Sequence, residues 1–198
     1  MSKTSAVTRP PEPDFETITT EELIAYRLKN DHLVRPVART QITTATAGTF
    51  DLHVYETTVE PGEHLALVKG DLSAPGPVLV RVHAVNALAD LLGAGETGEG
   101  CRLIDSSLRA IEREGRGVVV LIRDLRPKTV SEWIERRARD PKTSDGVRER
   151  RRVEVGVGSQ ILTDLGVRDM VLLTNSPAHV YVGLEGFGLR IVGTRRIE

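Results

Sequence analysis

The chain has 198 residues, enough for one medium domain or two small ones with a real core. Its 39% hydrophobic and 28% charged content is ordinary for a globular protein, and a net charge of −1 excludes binding to nucleic acid by overall charge. A single cysteine, Cys101, excludes a disulfide framework and any multi-cysteine zinc site. No apolar run reaches the length of a membrane span, and Met1 to Phe15 holds no apolar signal core. The expected protein is cytoplasmic, with no membrane partner.

Residues 1–18, with the proline-rich "RPPEPD", read as a disordered tail. Residues 19–34 read as a linker helix. Thr19 and Glu22 fit a capping box, and Leu23, Ile24 and Leu28 share a face. From Arg35 to Val85 the pattern turns to strands: "FDLHVYET" alternates, "HLALVKG" is short and apolar, and "PVLVRVHA" follows a turn. "NALADLL" is a short helical stretch. "RLIDSSLRAIEREG" repeats Leu103, Ile104, Leu108 and Ile111 at helical spacing and stops at Gly115. "GVVVLIRD" is a continuous apolar run, which predicts a strand buried on both faces. "TVSEWIERRARD" predicts a helix with Trp133 facing inward, and residues 139–152 predict a polar, mobile stretch. "GVGSQILTDLG" is a helix ended by Gly166, "DMVLLTN" a strand, "SPAHVYVGLEG" a short helix or loop, and "LRIVGT" a last strand. The sum is a mixed α/β domain over 35–198 on one sheet system, its front half strand-rich and its rear half alternating helix and strand.

"GAGETGEGC", from Gly93 to Cys101, contains the G-x-G-x-x-G spelling of a dinucleotide loop. Such a loop must leave a buried strand and open a helix, whereas the segment before this one is helical. Glu96 and Glu99 would also repel a pyrophosphate. The four glycines predict a solvated connection that nothing holds rigidly.

Several segments together resemble GTP cyclohydrolase II, an enzyme of riboflavin biosynthesis: "EHLALVKGDL", "PVLVRVHA", "LRAIEREGRGVVVLIR", "GVGSQILTDLGVRDMVLLTNSP" and "GLEGFGLRIVG". They cover roughly residues 35–195 in the family's order. "EELIAYRLKNDHLVRPVA" resembles the junction in bifunctional chains where 3,4-dihydroxy-2-butanone 4-phosphate synthase precedes the cyclohydrolase. The resemblance implies the cyclohydrolase II fold, a tendency to form homodimers, and a chemistry in which a three-cysteine zinc activates water for attack on GTP. The family's ligands lie in a V-H-S-E-C stretch and a downstream C-D-C. This chain has "VHAVN" and "GEG" there, so the implied ligand positions fall on Asn86, Gly98 and Gly100, with Cys101 one residue off. Asparagine is a poor zinc ligand and glycine offers none, so loss of the zinc cofactor is expected.

The resemblance also implies a GTP pocket, of which Arg81, His83, Arg123, Thr174 and Asn175 persist. The catalytic Asp-x-Arg of the family falls on Arg151 and Val153, and a pocket lysine on His179. Read without the resemblance, Arg81 and His83 satisfy partners at a strand end and "LLTN" ends a strand. His32, His53 and His64 show no metal-ligand spacing, "RERRR" is a solvated run with no nucleic-acid partner, and "DSS" at 105–107 lies on a helix face. The expectation is a catalytically degenerate cyclohydrolase-like module with a structural, dimerising or regulatory role for a synthase domain. Two alternatives stay open: a hydrolase acting on GTP without the zinc site, and a nucleotide sensor that binds without reacting.

Overall fold

Alternation of apolar residues along the chain builds one sheet in the computed structural model. Its strands are β1 (Val34–Thr44), β2 (Gly48–Thr57), β3 (Glu63–Lys69), β4 (Val78–Ala84), β5 (Gly117–Ile122), β6 (Asp169–Leu173) and β7 (Arg190–Arg195). The structure describes residues 26, 31, 33–58, 62–94, 100–124, 128, 130–132, 134–135, 145–175 and 184–198; of residues 100, 101 and 145–152 it describes the backbone alone. The tail over 1–18, Trp133 and His179 lie outside these residues. So does most of the linker helix expected over 19–34; Tyr26 is helical, but Asp31 and Leu33 are not, and Val34 already belongs to β1, where it pairs with Thr57.

The strand order is β1-β2-β3-β5-β4-β6-β7. β1, β2, β3 and β5 pair antiparallel, while β4 pairs parallel with both β5 and β6, and β6 with β7. The two halves foreseen from sequence therefore join edge to edge, with β3 laddered to β5. They also interlock, because β4 from the front half inserts between β5 and β6 of the rear.

Helices cover both faces of the sheet's centre. α1 (Ala87–Leu92) and α2 (Gly100–Glu114) follow β4, and α3 (Asp145–Asp164) precedes β6. On one face Val157, Ile161 and Leu162 of α3 pack with Tyr55, Val68, Val80, Val118 and Val120. On the other, Leu108 and Ile111 of α2 pack with Phe50, Leu67, Leu79 and Val119. β5 thus sends neighbouring valines to opposite cores, which is why its apolar run is unbroken. Gly158 sits where α3 crosses β4: a Cβ there would lie 3.0 Å from Val82 Cγ1, so the glycine allows the close approach.

Two sequence expectations are corrected. The polar stretch over 139–152 is helical from Asp145 onward, because α3 is continuous with its apolar positions at Val153, Val157 and Ile161, and Arg148–Arg152 in between are good helix formers. Gly93 is held in place. It takes the left-handed conformation (φ 65°) that caps α1, its N–H donating to the Ala89 carbonyl.

The loop between β3 and β4 is gripped from outside. The two terminal nitrogens of Arg116 donate to the carbonyls of Ala74, Pro75, Gly76 and Pro77. Beside it Gly70 has φ +70°, and a Cβ there would stand 2.4 Å from the Gly115 carbonyl oxygen.

Candidate functional site

Parallel strands whose carboxyl ends share one edge gather their trailing residues there. β4, β5 and β6 do this. Arg81 and His83 lie in the second half of β4, Arg123 directly follows β5, and Thr174 and Asn175 directly follow β6. Register confirms the alignment, with His83 opposite Leu121 and Ala84 opposite Ile122. All five residues expected from sequence therefore come to one end of the sheet, but their polar groups turn to different protein partners.

Arg81 donates to the Leu173 carbonyl at 3.1 Å, and its other terminal nitrogen lies 3.3 Å from His83 Nδ1. His83 Nε2 is 3.0 Å from both oxygens of Asp90. For both contacts to be hydrogen bonds, Nδ1 carries the lone pair and Nε2 the proton. The His83 and Asp90 side chains are only 10% and 5% exposed. This Arg81–His83–Asp90 relay joins β4, the end of β6 and α1.

Arg123 faces the other way, toward β3. Its backbone N–H donates to His64 Nδ1 at 3.0 Å. Burial, and then the Arg123 charge, hold the His64 imidazole below its usual range, which keeps that lone pair available. The Asn175 carboxamide oxygen accepts from the Ile197 N–H at 2.8 Å, and the Thr174 N–H donates to the Arg195 carbonyl at 3.0 Å. The residues after β6 thus anchor the end of β7 and the chain that follows it.

Asn86 caps α1. Its Oδ1 accepts from the N–H groups of Leu88 and Ala89 at 3.0 and 3.1 Å. Asp90 reaches back to accept from the Asn86 N–H at 2.7 Å. Side chain and backbone bond reciprocally, in the manner of a capping box. The oxygen that would have to face a metal is already spent on two helix donors. Gly100 opens α2 and has no side chain, and Gly98 lies outside the described residues. This donor set does not fit the zinc that the resemblance implies. Among the described residues, no group of three or more His, Cys, Asp and Glu could hold a metal ion.

Val153, at the position implied for a catalytic arginine, packs against the α3-side core, and the Arg151 side chain lies outside the described residues. Ser107, in "DSS", is fully buried and donates to the Leu103 carbonyl. Sequence reasoning missed Asp90 and the structural part played by His64. The signal for the first was present: an asparagine directly before a helical stretch, with an acid in the first turn, marks a helix start. The bond from His64 across to Arg123 has no local signal, since 59 residues separate the two.

An open hollow of about 490 Å³ lies elsewhere, where Pro36 to Arg39 of β1 face Tyr55, Asp164 and Leu165. His53 also lines it, while its Nε2 is buried and has no hydrogen-bond partner among the described residues. No described helix is long and apolar enough to cross a membrane.

Residues 35–196 match the family model described as GTP cyclohydrolase II. The chain is 39% identical over 186 residues to the riboflavin biosynthesis protein RibBA of Chlorobium phaeovibrioides, covering 90% of this chain and 45% of that one. It is 36% identical over 175 residues to the 3,4-dihydroxy-2-butanone 4-phosphate synthase of Pseudomonas syringae pv. tomato, covering 88% and 47%. Among solved structures it resembles RibBX, a two-domain 3,4-dihydroxy-2-butanone 4-phosphate synthase from A. baumannii, with a TM-score of 0.56 and 26% identity over 89% of this chain and 44% of that one. The chain spans less than half the length of each of these three proteins.

Proposed function

The chain belongs to the GTP cyclohydrolase II family, and from that premise we propose that it is a non-catalytic cyclohydrolase-like module of riboflavin biosynthesis. In this reading it is cytoplasmic, pairs with a second copy of itself, and serves a 3,4-dihydroxy-2-butanone 4-phosphate synthase as a structural or regulatory partner. The observation that carries it is Asn86. Where the family places its first zinc cysteine, this chain has a helix cap whose oxygen is committed to Leu88 and Ala89. The other two implied positions are glycines. Water activation at neutral pH needs a metal or a positioned base. The imidazole at the end of β4, His83, is tied at both nitrogens to Arg81 and Asp90.

The kinship also supports the synthase connection. Two of the similar proteins are named for the synthase alone, and one of those is a two-domain chain. In this reading the module acts on the synthase through contacts alone.

The deciding experiment measures bound metal and GTP turnover on one purified sample. The expected result is less than stoichiometric zinc and no release of formate or pyrophosphate. Tightly held zinc together with turnover would overturn the reading. Calorimetric titration with GTP then separates a scaffold, which gives no heat of binding, from a sensor that binds without reacting.

A further inference from the structure

α3 carries a contact that no catalytic assignment uses, at Gln160. This residue belongs to the "GVGSQIL" run, yet its side chain points at neither the strand ends nor the solvent. Its part-buried carboxamide makes two bonds of 2.8 Å to the chain leading into β1. The Leu33 N–H donates to Oε1, and the Nε2 amide donates to the Asp31 carbonyl. Leu33 itself is 2% exposed. Its carbonyl accepts from the Thr58 N–H at 2.9 Å, continuing the β1–β2 ladder by one bond.

In an antiparallel ladder a hydrogen-bonded pair of residues exchanges two bonds. Leu33 and Thr58 make one of them. The donor for the second, the Leu33 N–H, goes to Gln160 instead. β1 therefore stops at Val34 on its upstream side, and the backbone before it is bound to a helix rather than to the next rung. Few side chains can do this. A carboxamide offers one acceptor and two donors on a planar group, which matches an N–H and a carbonyl two residues apart. Glutamate would accept from Leu33 but present a second acceptor to the Asp31 carbonyl. The helix that carries Gln160 is firmly seated: Ser159, Ile161 and Leu162 on either side of it are buried.

We propose that Gln160 is a joint. It docks Asp31 and Leu33 on α3 and fixes the direction in which the chain upstream of β1 is led away from the sheet. The surface is the flank of α3, and the partner it fits is this chain's own incoming segment. That segment lies within the stretch resembling the synthase–cyclohydrolase junction, so a domain joined upstream inherits the direction. The joint depends only on contacts within this chain and stands whether or not the module is catalytic.

The test is amide hydrogen exchange by NMR on the full chain. Gln160→Met keeps the side chain's length and removes both bonds. The Leu33 amide is expected to exchange about ten-fold faster, while Val118 to Val120 keep their protection. Gln160→Glu keeps the acceptor for Leu33 but sets a second oxygen against the Asp31 carbonyl, so Leu33 is expected to exchange faster than in wild type, and this variant carries the test if the Met variant does not fold. Unchanged Leu33 exchange in Gln160→Met would overturn the joint. So would equal acceleration of Leu33 and the sheet centre, which would make Gln160 a general stabiliser. Leu33 exchange in Gln160→Glu equal to that of wild type would do the same.

Discussion

Along β1, all but three of its 11 residues are exposed, whereas Val118, Val119 and Val120 of β5 are 0% exposed. The two strands share one sheet but are held by different forces. The β1–β2 hairpin is fastened by cross-strand polar pairs: Arg35 with Glu56, Arg39 and Gln41 with Asp51, Thr43 with Thr49. Such exposed pairs contribute little each. The β4–β5–β6 block is fastened by apolar burial on both faces. The five residues expected to line a nucleotide pocket stand at the ends of that block, outside the clusters that stabilise it. None of the five belongs to either apolar core, so the burial that holds the block does not depend on them.

That contrast is open to direct attack. Ile161→Ala, which empties the α3-side core, is expected to cost about 2–5 kcal/mol in denaturant unfolding; a cost below 1 kcal/mol would mean the block is not held by burial. Next comes the seam between the two regions, where His64 of β3 meets Arg123. The folded imidazole titrates below its ordinary 6.5, so the unfolded chain takes up the proton first. Stability is therefore full above about pH 6.5 and falls as the pH drops below it, at up to about 1.4 kcal/mol per pH unit. His64→Gln keeps an acceptor for the Arg123 N–H, and its unfolding free energy should vary less steeply between pH 7 and pH 5. An unchanged slope would remove His64 as the cause.

At the end of the block, Asn86→Ala should cost about 1 kcal/mol, the ordinary price of a lost N-cap, with no change in bound metal. A fall in metal content would instead mark Asn86 as a ligand. The smallest effect belongs to the hairpin. Arg35→Ala breaks an ion pair whose side chains are 72% and 45% exposed, and should shift stability by less than about 1 kcal/mol. A loss as large as that of Ile161→Ala would erase the distinction between the regions.

The same division decides what the sequence made legible. β5 was readable because burial on both faces leaves a continuous run, "GVVVLI", and α2 because Leu108 and Ile111 repeat at helical spacing. The start of α3 was hidden. Residues 145–152 carry charge and a glycine rather than an apolar stripe, and only continuity with Val153 and Val157 extends the helix through them. At the site, that Asn86, Gly98 and Gly100 carry no thiolate is read directly from the sequence. The bonds that engage the neighbouring side chains are not. The Arg81–His83–Asp90 relay ends on the Leu173 carbonyl, 92 residues away in the chain, and a backbone acceptor leaves no trace in side-chain identity.

The grip of Arg116 on the β3–β4 loop carries a consequence for other sequences with this fold. Pro75 and Pro77 have no amide hydrogen, so that loop is rich in acceptors and poor in donors. A planar guanidinium serves four carbonyls from two nitrogens, a geometry that lysine, with its three protons on one atom, cannot reproduce. Relatives with lysine at this position should therefore have exchanged one of the prolines for a residue that can donate, and the two changes should be found together.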